Sequence, residues 1–315
     1  MSRALGLLLG FAADRWLGDP RRFHPVAGFG QVAGRLERTL YADSRAAGTK
    51  YAALLITTTA TVGVAAEKLT AGRPIARTVL TAAATWAVLG GRSLEREAEI
   101  MAGYLDAKEL EDARGRLSYL CSRDATDLEA DELARATVES IAENTSDATV
   151  APLVWGGLLG IPGLIGYRAV NTLDAMVGYK SPRYRNFGWA SARLDDAVNL
   201  LPARVCAVLT GLVSGRPGES WRIWRRDAPG HPSPNAGPVE ASFAGALGLR
   251  LGGVNSYGSE VEDRGTLGDG LPPTVGDIRR TASLARRVAY ASAALAAIVA
   301  LRPKHRGRRG ERACI

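Results

Sequence analysis

The chain alternates between long apolar stretches and charged connections. The apolar stretches lie at about 4–13, 51–66, 75–91, 150–167, 198–214 and 288–301. Each is close to or below the lower limit of the roughly 17–25 residues that cross a bilayer as a helix. Any one of them alone could be a buried core helix. Their number, their many small residues and the Trp and Tyr near several ends together favour a polytopic membrane protein over a large soluble helical bundle.

The connections differ in composition. The stretch 92–149 is charged and rich in helix-forming residues, which predicts water-facing helices. The stretch 215–280 is rich in Pro and Gly, which predicts loops and turns. We find no internal repeat and no alternating strand pattern of any length. The predicted fold class is therefore mainly α, a polytopic helical membrane protein with cytoplasmic helical and loop-rich regions.

The domain prediction is one integral membrane domain over 1–301 and a basic, disordered tail over 302–315. The first segment has the Arg-then-apolar order of a secretory signal. Asp14 and Arg15 follow it directly and further apolar segments come later, so we expect a retained first helix. The three cysteines, Cys121, Cys206 and Cys314, are odd in number and far apart, which predicts neither a zinc site nor a disulfide framework.

The net charge of +8 does not indicate nucleic-acid binding, because the cations are spread through the connections and only the tail is densely basic. Basic connections beside apolar segments are the usual positive-inside pattern, which places 14–50, 92–149 and 215–287 on the cytoplasmic side. If every apolar segment crosses the membrane, the basic connection 168–197 and the basic tail lie on the outer side, which conflicts with the positive-inside pattern. This leaves re-entrant paths open for 150–167 and 198–214.

Four polar clusters adjoin apolar segments, where charged residues are costly and often functional. DRWLGDPRRFHP at 14–25 carries Asp14, Asp19 and His24. ESIAENTSDA at 139–148 carries Glu139, Glu143 and Asp147 at i, i+4 and i+8, with Asn144 beside them. Carboxylates at this helical spacing repel each other unless a cation neutralises them. A solvated acidic face is the plain alternative, but Mg²⁺ bound together with a substrate phosphate would use these ligands.

The other two clusters supply both cations and carboxylates. RAVNTLDAMVGYK at 168–180 predicts an amphipathic helix with Arg168, Asn171 and Asp174 on its polar side, followed by Lys180. SARLDDAVNLLPAR at 191–204 carries Asp195, Asp196 and Asn199, flanked by Arg193 and Arg204. Arg gives phosphate a bidentate contact and Lys a point charge. The residues alone therefore predict a membrane-associated site for Mg²⁺ and a phosphorylated substrate.

Four strings in register, DRWLGDPRRFHPV, ESIAENTSDATVAPLVW, RAVNTLDAMVGYKSPRYRNFGWASARLDDAVNLLPAR and SPNAGPVEASFAGALGLRLGG, resemble the CobD/CbiB family over about residues 14 to 275. These are the adenosylcobinamide-phosphate synthases of cobalamin biosynthesis. Ser242 and Phe243 stand where the family pattern suggests Ala and Met.

The resemblance implies a multi-pass enzyme of the cell membrane with a cytoplasmic active site. The implied reaction is ATP- and Mg²⁺-dependent amide ligation of adenosylcobyric acid, a corrinoid, with (R)-1-amino-2-propanol or its O-phosphate. Membrane lipid is an expected partner, and association with other corrinoid-pathway enzymes is a further expectation.

Roles are assigned to individual residues as predictions. The metal ligands are predicted among Glu139, Glu143, Asp147, Asp195 and Asp196. Substrate or phosphate contacts are predicted at Arg168, Lys180, Arg193, Asn144, Asn199 and Asn235. The catalytic group is predicted among His24, Asp174 and Asn171, with His24 or Asp174 as the base that deprotonates the amine.

Two other interpretations stay open from the sequence. A Mg²⁺-dependent membrane prenyl or lipid transferase would also hold a diphosphate with acidic helix residues such as Asp195 and Asp196. A membrane sensor of the same superfamily would keep the fold without catalysis. The intact acidic and basic positions favour an enzyme.

Overall fold

The computed structural model describes residues 1–19, 24–257 and 260–302. The basic tail, with Cys314, lies outside these residues, as do residues 20–23 of the first polar cluster. Cys121 and Cys206 are free thiols. The helices in chain order are α1 Ser2–Leu17, α2 Pro25–Leu40, α3 Arg45–Leu69, α4 Pro74–Val88, α5 Gly91–Asp106, α6 Leu110–Leu117, α7 Ala130–Thr145, α8 Ala151–Leu159, α9 Ile161–Val177, α10 Trp189–Ser214, α11 Pro217–Asp227, α12 Ala236–Leu247 and α13 Val275–Leu301.

The mainly α prediction is confirmed. By length and composition, α3, α10 and α13 are apolar enough to cross a membrane. The apolar segment 198–214 lies within the continuous helix α10. The segment 150–167 is divided between α8 and α9, because Gly160 at φ 77° ends one helix and begins the next.

Local signals in the sequence set several helix ends. Reciprocal hydrogen bonds form capping boxes at the starts of α7, with Glu129 and Glu132, and of α13, with Thr274 and Asp277. Pro25 occupies the first turn of α2, where the His24 imidazole accepts a hydrogen bond from the Val26 amide.

The region 215–280 corrects the loop-and-turn prediction. It contains α11, α12 and an antiparallel hairpin of β1 (Leu251–Tyr257) and β2 (Glu260–Leu267). The hairpin register shifts between Gly252 and Val254. A short strand pair interrupted by glycines and an irregular register gives no period-two pattern, which explains why the sequence did not predict it.

Three apolar clusters form the core. The largest joins α5, α6, α7, α10, α12 and α13, a second joins α1, α4, α8 and α13, and a third joins α2, α3 and α9 with Phe187. Helix α7 lies inside the first cluster with most of its residues buried, so the prediction of water-facing helices over 92–149 is wrong for α7. The predicted acidic cluster begins at Glu139, within α7. The central position of this helix therefore places the start of the cluster inside the protein.

Candidate functional site

A polar cavity of about 130 Å³ lies where the C-terminal end of α7, α9, α10 and the loop before α12 meet. Its lining brings together residues from three of the four predicted clusters. Five of its polar lining residues are carboxylates, and the others carry amide or hydroxyl groups. The polar lining residues are Glu143, Ser146, Asp147, Asp174, Asp195, Asp196, Asn199, Ser233 and Asn235. We call this space the acidic cavity.

A π-helix over Ser146–Val150 separates α7 from α8. The wider turn of a π-helix changes the direction of the side chains that follow it, and such turns are frequent at functional sites. Asp147 lies in this turn and lines the acidic cavity, as does Glu143 just before it. Of the three carboxylates predicted at i, i+4 and i+8, Glu143 and Asp147 therefore line the same cavity.

Helix α10 carries Asp195, Asp196 and Asn199 into the cavity and continues through Pro202. Pro202 has no N–H to donate to the Val198 carbonyl one turn earlier. The Trp155 indole of α8 donates to that carbonyl instead, at 3.1 Å. The helix therefore remains continuous beside the site.

Hydrogen bonds orient the α10 side chains. The Asn199 amide donates to one oxygen of Asp195 at 2.9 Å, and the Tyr167 hydroxyl donates to the Asn199 carbonyl oxygen at 2.9 Å. Asp195 Oδ1 and Ser146 Oγ are enclosed without a hydrogen-bond partner in the described part of the chain. Enclosed polar atoms of this kind are normally satisfied, so they are available to a ligand.

Burial and the repulsion of neighbouring carboxylates raise the pKa values of two cavity carboxyls, Asp147 and Asp174. Burial raises the pKa of Asp147 well above its usual value, and Asp195 and Glu143 act in the same direction. The pKa of Asp174 is raised to about 6, by burial and then by Asp196 and Glu143. A bound cation would relieve this repulsion, and a carboxylate with a pKa near neutrality suits a general base.

The carboxylates do not form a preformed cage. Across the described ranges, no three Asp, Glu, His or Cys side chains converge closely enough to hold a metal ion. This arrangement fits a cation such as Mg²⁺, which keeps several waters and uses one or two carboxylates with substrate phosphates. Asp195 Oδ1 and Ser146 Oγ are two enclosed oxygens that such an ion would satisfy.

A larger cavity of about 410 Å³ adjoins the acidic cavity and shares Asp174, Asp196 and Ser233 with it. We call it the cationic cavity. Lys180 and Arg193, both predicted as phosphate contacts, lie in its wall. Its other charged and aromatic lining residues are Tyr179, Tyr184, Arg185, Trp189, His231, Glu262 and Arg264.

Arg168 and Asn171 lie on the side of α9 that faces the acidic cluster. The Asn171 carbonyl oxygen accepts a hydrogen bond from Arg168 at 3.3 Å. Burial lowers the pKa of Arg168, while Tyr167, Asp19 and Asp147 act against it. Arg168 is absent from the linings of the acidic and cationic cavities and instead borders an apolar cavity of about 200 Å³.

Asn235 and Asn144, both predicted as substrate contacts, make structural hydrogen bonds. The Asn235 amide donates to the Asp196 carbonyl at 2.8 Å, and its oxygen accepts from Arg204 at 3.0 Å, so it joins the loop before α12 to α10. Asn144 donates to the Ser140 carbonyl at 2.9 Å and is absent from the cavity lining.

Glu139 and His24 lie apart from the acidic cavity. Glu139 is buried and accepts from Arg123 at 2.6 Å and from the Gly252 amide at 2.8 Å, which leaves its oxygens committed to protein donors. His24 Nε2 lies 3.7 Å from Asp19, whose charge acts on Arg168. The geometry therefore separates Glu139 from the other predicted metal ligands.

The whole chain is similar to proteins of known family. It matches the family described as CobD/Cbib protein over residues 7–285. It is 49% identical over 307 residues to the Cobalamin biosynthesis protein CobD of Mycobacterium tuberculosis (strain ATCC 25618 / H37Rv), covering 96% of this chain and 97% of that protein. The chain belongs to the CobD/CbiB family.

Other relatives of the family carry the same name. The Cobalamin biosynthesis protein CobD of Chromobacterium violaceum is 42% identical over 96% of this chain and 98% of its own length. That of Geobacter metallireducens is 42% identical over 82% of this chain and 85% of its own length. No solved structure matches the chain. The predicted family is confirmed, and a role in cobalamin biosynthesis is supported.

The sequence prediction missed a buried charged group beside the cationic cavity of this CobD/CbiB protein. Glu240 of α12 is fully buried, accepts from Arg264 of β2 at 3.0 Å and lies 3.9 Å from His231 Nε2. Burial lowers the pKa of His231, and the Arg264 cation acts in the same direction. The sequence did contain an indication of this group, because Glu240 is a single carboxylate within the apolar run AGPVEASFAGAL.

Proposed function

We propose that this protein joins a corrinoid carboxylic acid, adenosylcobyric acid, to aminopropanol or its O-phosphate in an ATP- and Mg²⁺-dependent amide ligation. The observation that carries the proposal is that the acidic cavity adjoins the cationic cavity and shares three lining residues with it. Carboxylates from α7, the π-helix, α9 and α10 meet there beside Lys180 and Arg193. Family membership supports the corrinoid pathway.

The two cavities provide complementary charge for this reaction. In the proposal, Asp195 and Asp147, with the Ser146 hydroxyl, would hold Mg²⁺ together with substrate phosphate and water, and the bound ion would neutralise phosphate charge. Lys180 and Arg193 contact the phosphates of ATP and draw electron density from the transferred group. Glu139 is left out of the ligand set because Arg123 and the Gly252 amide occupy its oxygens.

The proposed chemistry activates the corrinoid carboxylate before the amine attacks. The carboxylate oxygen attacks the γ-phosphorus of ATP, ADP leaves, and the resulting acyl phosphate carries a good leaving group. The amine nitrogen then attacks the acyl carbon, phosphate leaves and the amide forms. The incoming ammonium must lose a proton, and Asp174 suits this step because burial raises its pKa to about 6.

The test compares cavity variants with a matched surface variant in membranes. Asp147→Asn and Asp195→Asn each replace a cavity carboxylate by an amide of equal size. We expect each to lower ATP-dependent corrinoid amidation by at least about 100-fold, because an amide would hold Mg²⁺ more weakly and the phosphate would lose the cation that neutralises it. Asp112→Asn, an exposed site on α6, should stay within about twofold. Near-normal amidation by both cavity variants would contradict the proposed metal site.

A growth experiment separates the ligase from the transferase and sensor interpretations. A strain that lacks this protein should grow on cobinamide but not on cobyric acid, and the wild-type chain should restore growth on cobyric acid. Growth of the deletion strain on both compounds would contradict the ligase proposal.

A further inference from the structure

A second charged groove, of about 240 Å³, lies between α5 and α13. It shares no residue with the acidic cavity or the cationic cavity. Four arginines line it with Ser283 and two glutamates, Glu95 and Glu99. The arginines are Arg92, Arg96, Arg279 and Arg286. We call it the arginine groove.

The glutamates of the arginine groove are already paired. Glu95 accepts two hydrogen bonds from Arg15 of α1, at 2.6 and 2.8 Å, and both side chains are nearly buried. Glu99 lies 3.5 Å from Arg279, which also pairs with Asp106 at 2.7 Å. The groove therefore keeps a positive charge after these pairs are formed.

Arg96 and Arg286 supply this remaining charge. Both side chains are exposed, and neither has an ion pair with any residue that the structure describes. Arg96 comes from α5 and Arg286 from α13, and both line the groove. Arg is well suited to bind phosphate, because its planar guanidinium offers paired N–H donors.

The arginine groove lies at the boundary between charged and lipid-facing surface. The exposed side of α13 changes from Arg286 to Tyr290 one turn later and then to Ile298 and Leu301, which are 59% and 54% exposed. On neighbouring α1, Trp16 is 85% exposed. Exposed Tyr and Trp between a cationic and an apolar surface are typical of the headgroup level of a bilayer.

We propose that the arginine groove binds the phosphate headgroup of an anionic phospholipid. Arg96 and Arg286 contact the phosphate oxygens, the Ser283 hydroxyl donates to the headgroup, and the acyl chains lie against the apolar side of α13 beyond Tyr290. A free phosphate ion would use the same cations but not the apolar surface. This site is independent of the proposed ligase chemistry.

The test measures lipid retention by the full chain in detergent with native mass spectrometry. Phosphatidylglycerol is titrated against phosphatidylcholine for the wild type and for the double variant Arg96→Gln/Arg286→Gln. The control is Arg225→Gln/Arg250→Gln, which removes two exposed arginines outside the groove. Inorganic phosphate in large excess is added in a separate arm.

We expect the wild type to prefer phosphatidylglycerol and the groove variant to bind it about 25-fold more weakly, since each cation near an anionic headgroup contributes about fivefold. The single variant Arg96→Gln should show about a fivefold loss. The control should match the wild type. Equal losses in the groove and control variants, an unchanged affinity in the groove variant, or displacement of the lipid by inorganic phosphate would overturn the proposal.

Discussion

Glu139 and Glu143 are one helical turn apart in α7, yet their carboxylates have different surroundings. Glu143 lines the acidic cavity, whereas Glu139 is 1% exposed and pairs with Arg123, itself 7% exposed. Arg135, on the preceding turn of α7, approaches Glu139 at 3.4 Å. Removing one partner of such a buried pair is strongly destabilising, because the other charge stays in a poorly solvated environment.

We expect Glu139→Gln to lower the free energy of unfolding by about 3 kcal/mol because Arg123 loses its buried counter-charge. The measurement is denaturant unfolding in detergent with and without Mg²⁺. Stabilisation by Mg²⁺ should persist in this variant, since Glu139 is outside the proposed ligand set.

The control for this prediction is Glu111→Gln, the same chemical change at an exposed ion pair with Arg114. Surface pairs contribute about 1 kcal/mol or less. Unchanged stability of Glu139→Gln together with loss of the Mg²⁺ effect would instead make Glu139 a metal ligand.

Helix α1 packs along α4 through two glycines one turn apart. A methyl group on Gly6 would lie 2.5 Å from Thr81 Cβ, and one on Gly10 would lie 2.4 Å from Thr85 Cβ. The sequence GLLLG has the spacing with which small residues let membrane helices approach closely. Backbone proximity, and not side-chain burial alone, therefore holds this helix pair together.

We expect Gly10→Ala to destabilise the protein by about 1–3 kcal/mol, because the α1–α4 interface has no room for the added methyl group. Thermal unfolding in detergent measures this change. Gly103→Ala in α5 is the matched control, since no atom lies within 4 Å of its added methyl group. That variant should be as stable as the wild type or more stable by up to about 1 kcal/mol. Equal behaviour of the two variants would refute the close-packing argument.

In the whole molecule, helices with exposed apolar side chains lie beside a polar site. Val62, in the middle of α3, is 59% exposed. Only 17% of the apolar stretch of α3 is buried inside the protein. Lys180 is also exposed but lies on the connection between α9 and α10, in the wall of the cationic cavity. If α3 crosses the membrane, the exposed Val62 side chain contacts lipid, whereas the exposed Lys180 side chain contacts water.

We expect Lys180→Cys, in a background without native cysteines, to react with a membrane-impermeant thiol reagent applied from the cytoplasmic side. ATP with Mg²⁺ should slow this reaction, because phosphate occupies the cationic cavity. Val62→Cys should stay unlabelled in intact membranes and react after detergent denaturation. Rapid labelling of Val62→Cys in membranes would show that α3 faces water.

The sequence by itself determined the helical class, the family and most of the polar residues that line the acidic cavity. Apolar runs at 51–66, 198–214 and 288–301 were enough to predict helices, because period and composition are local properties. The same local signals could not resolve the β1–β2 hairpin or the break at Gly160.

The tertiary structure alone decided which polar residues meet. Asp147, Asp174 and Asp195 come from three separate elements, so only the packing of those elements places them in one cavity. The same packing brings Arg123 and Gly252 to Glu139 and satisfies that carboxylate. A carboxylate's function depends on its neighbours in space, since those neighbours set its charge, its hydrogen bonds and its access to a ligand.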